Sequence, residues 1–275
     1  MSTRTAPRSA AKLVLTATLG HRRLALMEAR NKILLSRGGR ALRRREDAEV
    51  TRLAATMSSL PRARVATVIA TYRRPGQLRR AVESALAQTV RDQVVIVVDD
   101  GGGLPELPDD PRLVARSVSA NIGVAGVVRN VGIRLTRSDY LAFLDDDNEW
   151  EPEHLAVALA ALGPGQADLV YTALRRVGAD GRAVDVLSTP FDRRLLARHG
   201  YVDTNAYVAT RCEHLRFSRL PRPPQVRPRE DWELIWRLSR RHRIVHVQEP
   251  TVRYLVNPDS YFTDWQADGI LPPAT

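Results

Sequence analysis

The chain is nearly without cysteine: Cys212 is the only one in 275 residues. A lone thiol excludes an intramolecular disulfide and a cysteine-built zinc site. It suits a reducing compartment, so a cytoplasmic protein is expected. Long apolar runs are missing too, and none reaches the roughly 18–20 residues that a membrane-spanning helix needs. The start has the outline of a secretion signal, with Arg4, Arg8 and Lys12 ahead of a mainly apolar stretch over 13–20. Arginines resume at once at Arg22 and Arg23 and no clean cleavage site follows, so a cleaved signal is not expected. Apolar residues make up 44% of the chain, enough to bury a core, which excludes wholesale disorder.

Acidic residues are scarce in one place only. Residues 1–64 hold 15 Lys and Arg against 4 Asp and Glu, leaving 27 of each for residues 65–275. The formal net charge of +11 therefore belongs entirely to the N-terminal quarter. The balanced remainder needs no polyanionic partner, and no nucleic acid is expected.

What is present falls into an extension and a larger α/β unit. Residues 1–62 read as a basic helical extension, with Leu13, Ala17, Leu24, Met27 and Leu34 at helical spacings. Gly38-Gly39 reads as a break, a second helix runs from about Ala41 to Ser59, and Pro61 ends it. Such a helix packs on the domain that follows or on a second subunit, or it lies on an anionic membrane surface.

From Val65 strands alternate with helices. Val65–Ala70, Val94–Val98, Leu113–Ser117 and Tyr140–Leu144 read as strands, and the uninterrupted aliphatic run Val94–Val98 suits burial on both faces. Gln77–Gln88, Gly123–Leu135 and Glu153–Leu162 read as helices. The alternation predicts an α/β fold with a mostly parallel central sheet flanked by helices. Further on, Leu169–Val177 and Ala183–Ser188 read as a strand pair around Gly178-Ala179-Asp180-Gly181. A short strand over Ala206–Ala209, a Pro/Arg-rich loop over Arg216–Arg229 and an amphipathic helix over Asp231–Arg241 complete the pattern.

In an open parallel sheet, ligands bind outside the carboxyl ends of the strands. Three strand ends carry polar groups there: Thr71-Tyr72, Asp99-Asp100 and Asp145-Asp146-Asp147. Three adjacent carboxylates repel one another, and a hard divalent cation, Mn2+ or Mg2+, relieves that repulsion with oxygen ligands. The plainer reading is a solvated acidic loop. Asp99 and Asp100 suit a ribose or base, or simply close an Asp-Gly turn. Arg129, on a helix after a glycine-bearing loop, suits a phosphate. Glu230-Asp231 opens a helix, where acidic residues also serve as caps.

Taken in order, these segments resemble the family 2 glycosyltransferases. The residues that carry the resemblance are 65–75, Val98-Asp99-Asp100-Gly101, Asn121-Ile122-Gly123 with Arg129-Asn130, Phe143 to Asn148, and Glu230 to Leu234. The resemblance covers about Val65 to Ser260 and leaves out the extension. It implies a GT-A, Rossmann-like domain over 63–275, with a nucleotide-binding half at 63–150 and an acceptor-binding half at 151–275. It also implies an inverting hexosyl transfer from a nucleoside-diphosphate sugar, UDP-linked in the first instance, to a hydroxyl of a glycan, lipid-linked or small-molecule acceptor.

By the same resemblance Thr71, Tyr72, Arg73, Pro75, Asp99 and Asp100 line the base and ribose. Arg129 lies near the diphosphate, Asp145 or Asp146 faces the ribose or sugar as part of the donor site, and Asp147 of the DxD element holds the metal. Asp231 matches the catalytic base, with Glu230 beside it. Asp203, Asn205 and Trp232 are the acceptor-side candidates, and Trp236 shares the helix face of Trp232. Two positions depart from the family pattern. Asn148 stands where many members have Asp, and Asn257 where many have a histidine metal ligand, so the ion is expected to keep more water. A nucleotidyltransferase that makes nucleotide sugars, or a non-catalytic scaffold, are the alternative functions. Beside packing on the domain, a membrane-surface contact or a homodimer through residues 1–60 is the other use weighed for the extension.

Overall fold

The computed structural model describes residues 23–256. The expected helix positions Leu13 and Ala17, and Asn257, lie outside the described residues. β1 (Val65–Thr71) and β2 (Gln93–Asp99) are fully or nearly fully buried, which explains why their sequences do not alternate. With β3 (Leu113–Ser117) and β4 (Tyr140–Asp145) they form a parallel block in the order β3-β2-β1-β4. The register sets Thr71 opposite Asp99, Asp99 opposite Ser117 and Ala70 opposite Asp145. The polar strand ends therefore stand at one level of the sheet.

Two helices pack on this block. α3 (Pro75–Leu86) starts with proline, whose fixed φ suits the first turn and whose missing N–H is not needed there. α4 (Ala125–Arg134) comes unusually close to the sheet because of Gly132. A Cβ there would stand 2.5 Å from Val68 Cγ1 and 3.3 Å from Val98 Cγ2.

Beyond β4 the sheet becomes mixed. β8 (Tyr207–Thr210) pairs antiparallel with β4, and β6 (Leu169–Val177) pairs antiparallel with β8. β9 (Ile244–Leu255) runs parallel to β6, and the short β5 (Glu149–Trp150) is antiparallel to β9. The expected hairpin is present, with β7 (Ala183–Leu187) antiparallel to β6. β9 escaped the sequence reading because Gln248-Glu249-Pro250 interrupts its apolar pattern. The ladder absorbs that interruption as a bulge, stepping from Thr172 opposite Val247 to Ala173 opposite Pro250. α5 (His154–Ala161) packs on β6 and β9. α6 (Arg193–Leu196) and α7 (Glu230–Leu238) lie against each other.

The extension contributes α1 (residues 23–34) and α2 (Ser36–Ala54). Gly38-Gly39 is not the break that the sequence suggested, since both lie inside α2 and the turn falls at Leu35. The two glycines admit the loop that precedes α7. A Cβ on Gly38 would stand 2.6 Å from Pro221 Cγ, and one on Gly39 would stand 3.0 Å from Leu220 Cδ2. Of the uses weighed for the extension, packing on the following domain is what these residues do. Glu46, fully buried, accepts from Asn130 Nδ2 (3.1 Å), Arg134 Nη1 (3.0 Å) and both arms of Arg219 (2.7 and 2.6 Å). Arg45 donates to the Ala120 carbonyl at 2.7 Å and Arg52 to that of Ser117 at 2.8 Å. No helix among the described residues is long and apolar enough to cross a membrane.

Candidate active site at the carboxyl ends of the strands

Two clefts open where β1, β2 and β4 end. The first, of about 570 Å³, is lined by Thr71, Tyr72, Arg74, Asp100, Asn121 and Asp145 to Asp147, among others. The second, of about 430 Å³, is lined by Val202, Asp203, Thr204, Arg227, Arg229, Glu230, Asp231, Trp232 and Tyr254, among others. Arg129 and Asp145 line both.

In the first cleft the two aspartates after β2 divide their work. Asp99 is fully buried and accepts the N–H groups of Gly102 (3.0 Å) and Gly103 (2.9 Å), so it holds its own turn and does not line the cleft. Asp100 lines the cleft and accepts from the N–H groups of Ile122 (2.7 Å) and Gly123 (2.9 Å). Gly123 has φ 73, a conformation that favours glycine. Burial pushes the Asp100 carboxyl above the usual range, against the pull of those two donors. Tyr72 stands half-exposed on the cleft wall. Arg73 has its guanidinium 5.0 Å from the Tyr72 ring and its backbone against Gly102. Pro75 opens α3. Neither Arg73 nor Pro75 lines the cleft.

The acidic triplet is not left to repel itself. Thr71 Oγ1 donates to Asp146 at 2.7 Å. Arg74 Nη1 reaches Asp146 at 3.0 Å and Asp147 at 2.8 Å, and Asn148 Nδ2 donates to Asp147 at 3.1 Å. Asp145 is paired with Arg129 and accepts from Asn205 Nδ2 at 3.1 Å, while its own N–H donates to Asn205 Oδ1 at 2.6 Å. Burial, then the Asp145 charge, pushes the Asp147 carboxyl up; burial pushes up Asp146 as well. Arg74 is the residue that sequence reasoning missed here. Its only signal was a position in the turn after β1, where it supplies the counter-charge.

The carboxylate oxygens here are of the kind that a hard divalent cation takes. Asp145, Asp146 and Asp147 all line the cleft, and Arg74 supplies the counter-charge to Asp146 and Asp147. Among the described residues no three Asp, Glu, His or Cys side chains gather to cage an ion.

In the second cleft α7 presents Glu230 and Asp231 in its first turn. Asp231 Oδ1 accepts from the Trp232 N–H at 2.7 Å. Burial, followed by the charge of Glu230, raises the Asp231 carboxyl to about 6. Burial and the charge of Asp145 raise Asp203 to about 7, although Asp203 accepts from the N–H (2.8 Å) and Nδ2 (2.7 Å) of Asn205.

The other acceptor-side candidates separate. Asn205 is fully buried and does not line the cleft; it ties Asp145 to Asp203. Trp232 forms part of the wall, anchored by Nε1 to the Leu196 carbonyl at 2.6 Å and packed on Gly200. Trp236 is buried away from the cleft, with Arg240 5.4 Å from its ring. Arg227, Arg229 and Tyr254 line the cleft without having been singled out. They come from an irregular loop and from the interrupted strand β9.

Comparison with known proteins agrees with this architecture. The family model described as Glycosyl transferase family 2 matches residues 67–217. That span includes Thr71, Arg129 and Asp145 to Asp147 and stops short of Asp231. The succinoglycan biosynthesis protein ExoW of Rhizobium meliloti (strain 1021) is 34% identical over 122 residues, 41% of this chain and 38% of that protein. ExoO of the same strain is 32% identical over 157 residues, 54% of this chain and 44% of that protein. The chain thus spans less than half the length of either relative. The crystal structure of S. aureus TarS 1-349 in complex with UDP-GlcNAc has the same fold, with a TM-score of 0.54 at 16% identity, over 73% of this chain and 60% of that one. By the match over more than half its length, the chain belongs to glycosyl transferase family 2.

Proposed function

We propose that the chain transfers a sugar from a nucleoside-diphosphate sugar to an acceptor hydroxyl, with inversion at the anomeric carbon. The observation that carries this reading is the pair of clefts that share one wall, Arg129 and Asp145. A donor in the first cleft and an acceptor in the second meet at that wall. The fold neighbour crystallised with UDP-GlcNAc makes UDP-linked sugars the first donors to test.

Asp231 takes the proton of the acceptor hydroxyl as its oxygen bonds to the anomeric carbon. The bond from that carbon to the diphosphate breaks, and the nucleoside diphosphate leaves with the electron pair. A carboxyl raised to about 6 suits this task, because it is ionised at neutral pH yet basic enough to accept a proton. Asp100, Asn121 and Tyr72 hold the nucleoside end, and Asp147 holds the divalent cation with Asp145 and Asp146 turned to the ribose or sugar. When bound, Mn2+ or Mg2+ neutralises the charge that builds on the departing diphosphate. Arg74, tied to Asp146 and Asp147, is not left to cradle a triphosphate, which weighs against the nucleotidyltransferase alternative.

The test is a thermal-shift series with UDP, GDP and dTDP, each with and without Mn2+, followed by diphosphate release from the matching sugar donor. Ligand binding to the native state raises its unfolding midpoint. A Mn2+-dependent shift that disappears in Asp147→Ala supports the donor site. No shift with any of the three diphosphates points to a non-catalytic scaffold and overturns the reading.

A further inference from the structure

We infer that α1 is a docking helix for an anionic lipid bilayer. Its two faces are both unusual. The inner face, Leu24, Glu28 and Asn31, is buried. Glu28 accepts from Arg222 Nη2 at 2.9 and 2.8 Å, and Asn31 Nδ2 donates to the Arg227 carbonyl at 2.9 Å. α1 is therefore fastened to the loop that lines the second cleft.

The outer face carries large apolar side chains in water: Leu26 is 60% exposed, Ile33 75% and Leu34 63%. Among the described residues only Tyr72 and Val184 join them as large exposed hydrophobics. Three of five thus sit within nine residues of one helix. Leu26, Ile33 and Leu34 are spaced by seven and eight, which sets them on one side of it. Exposed Arg23, Arg30, Lys32 and Arg37 flank them.

An apolar strip edged with cations is what an interfacial helix presents to a membrane. The apolar residues enter the headgroup boundary while the cations meet anionic lipid. Charge decides between this occupant and the two that the chain itself could supply. Residues 1–22 carry four Lys and Arg and no Asp or Glu, and a second copy would bring the same basic helix. Both have the wrong sign. A nucleic acid has the right sign but no use for the leucine and isoleucine. Docking through the outer face would hold the second cleft beside the bilayer, because the inner face grips the loop that lines it.

The test is co-sedimentation of the full chain with vesicles of phosphatidylcholine, with or without phosphatidylglycerol. It needs no donor or acceptor, so its result is independent of the proposed activity. The chain should pellet with phosphatidylglycerol vesicles, stay in solution with phosphatidylcholine alone, and be released as salt rises. The double variant Leu26→Glu with Ile33→Glu should lose about a hundredfold in partitioning, from two side chains that no longer bury apolar area. Because both sites are exposed, its thermal midpoint should match the parent. Partitioning that ignores lipid charge, or that survives in the double variant, overturns the inference. So does a dimer without vesicles that the same two substitutions dissolve, since the occupant is then a second copy.

Discussion

Arg129, on α4, is paired with Asp145 at the end of β4, and this pair is the wall that the two clefts have in common. Each partner is over-determined. Burial works against the Arg129 charge, but Asp145 and Glu230 outweigh it and leave the guanidinium harder to deprotonate than usual. Asp145 is gripped from its other side by Asn205 through both backbone and side chain. Two charges that cannot relax make a rigid divider, and rigid charge at the point of reaction costs little reorganisation when bonds change. Asp231 lines the second cleft from α7, on the other side of that divider from Asp147.

Asp231→Asn should therefore leave nucleotide binding intact while transfer falls by about 10²–10⁴, the usual cost of a lost general base. The parent should also show a rate that rises with pH through about 6, because the working form is the ionised one. The variant should show no such limb. Initial rates of diphosphate release from pH 5 to pH 8, compared with the diphosphate-induced thermal shift of each protein, check both statements. A parent profile that is flat across that range would remove Asp231 from the reaction.

Much of this was readable before any coordinates. Short runs dominated by apolar residues marked β1, β2 and β4, and the residues after them fell at the strand ends because parallel strands of similar length share a register. What escaped shares a physical cause. Asp99 and Asp100 are neighbours, and only the path of the backbone decides that one closes its own turn while the other faces the cleft. Asn205 read as an acceptor-side contact because a polar residue buried to hold another polar residue looks like a ligand-facing one in sequence. Arg74 lies 72 and 73 positions from its carboxylate partners, a distance that no local pattern spans.

Asp203 should make stability depend on pH. Its carboxyl is raised to about 7, above the usual carboxylate value, by burial and by Asp145. A carboxyl raised in the folded state is easier to ionise in the unfolded chain. The stability of the protonated form is thus fully present below about pH 4 and is lost as pH climbs towards 7. Asp203→Asn keeps an oxygen to accept from Asn205 and removes the ionisation. The variant should gain on the order of 1–3 kcal/mol over the parent between pH 4 and pH 7, with no further divergence above that. Urea unfolding at pH 4, 5.5, 7 and 8.5 reads it, and parallel curves for the two proteins would refute it.

Gly132→Ala should destabilise the protein, although Gly132 itself lines neither cleft. The added methyl would stand 2.5 Å from Val68 Cγ1, so α4 must lift from β1 or Val68 must turn. Overpacking of this kind costs about 1–3 kcal/mol. Combining it with Val68→Ala should recover part of the loss, since the space is then vacated by the side chain that collides. A double-mutant cycle in urea measures the coupling. Additive losses would mean that the helix had moved instead.

Glu28→Ala should be the most damaging change in the extension. Glu28 and Arg222 are both almost wholly buried, and burial already pushes the Glu28 carboxyl up despite the arginine. Removing one member leaves the Arg222 charge in the interior, with the Pro228 carbonyl and Ser218 as its remaining hydrogen-bond partners among those described. The cost of breaking a buried pair in this way is about 3–5 kcal/mol. Replacing both, as Glu28→Leu with Arg222→Met, removes the stranded charge and should recover most of it, because apolar pairs of similar volume often match buried ion pairs. The two outcomes separate a pair that fastens α1 to the cleft loop from a helix that merely rests there. If it merely rests there, Glu28→Ala costs less than about 1 kcal/mol by urea unfolding and the double replacement changes nothing further. If it fastens the loop, the single variant should also free α1 first, seen as faster amide exchange over residues 23–34 before the sheet opens.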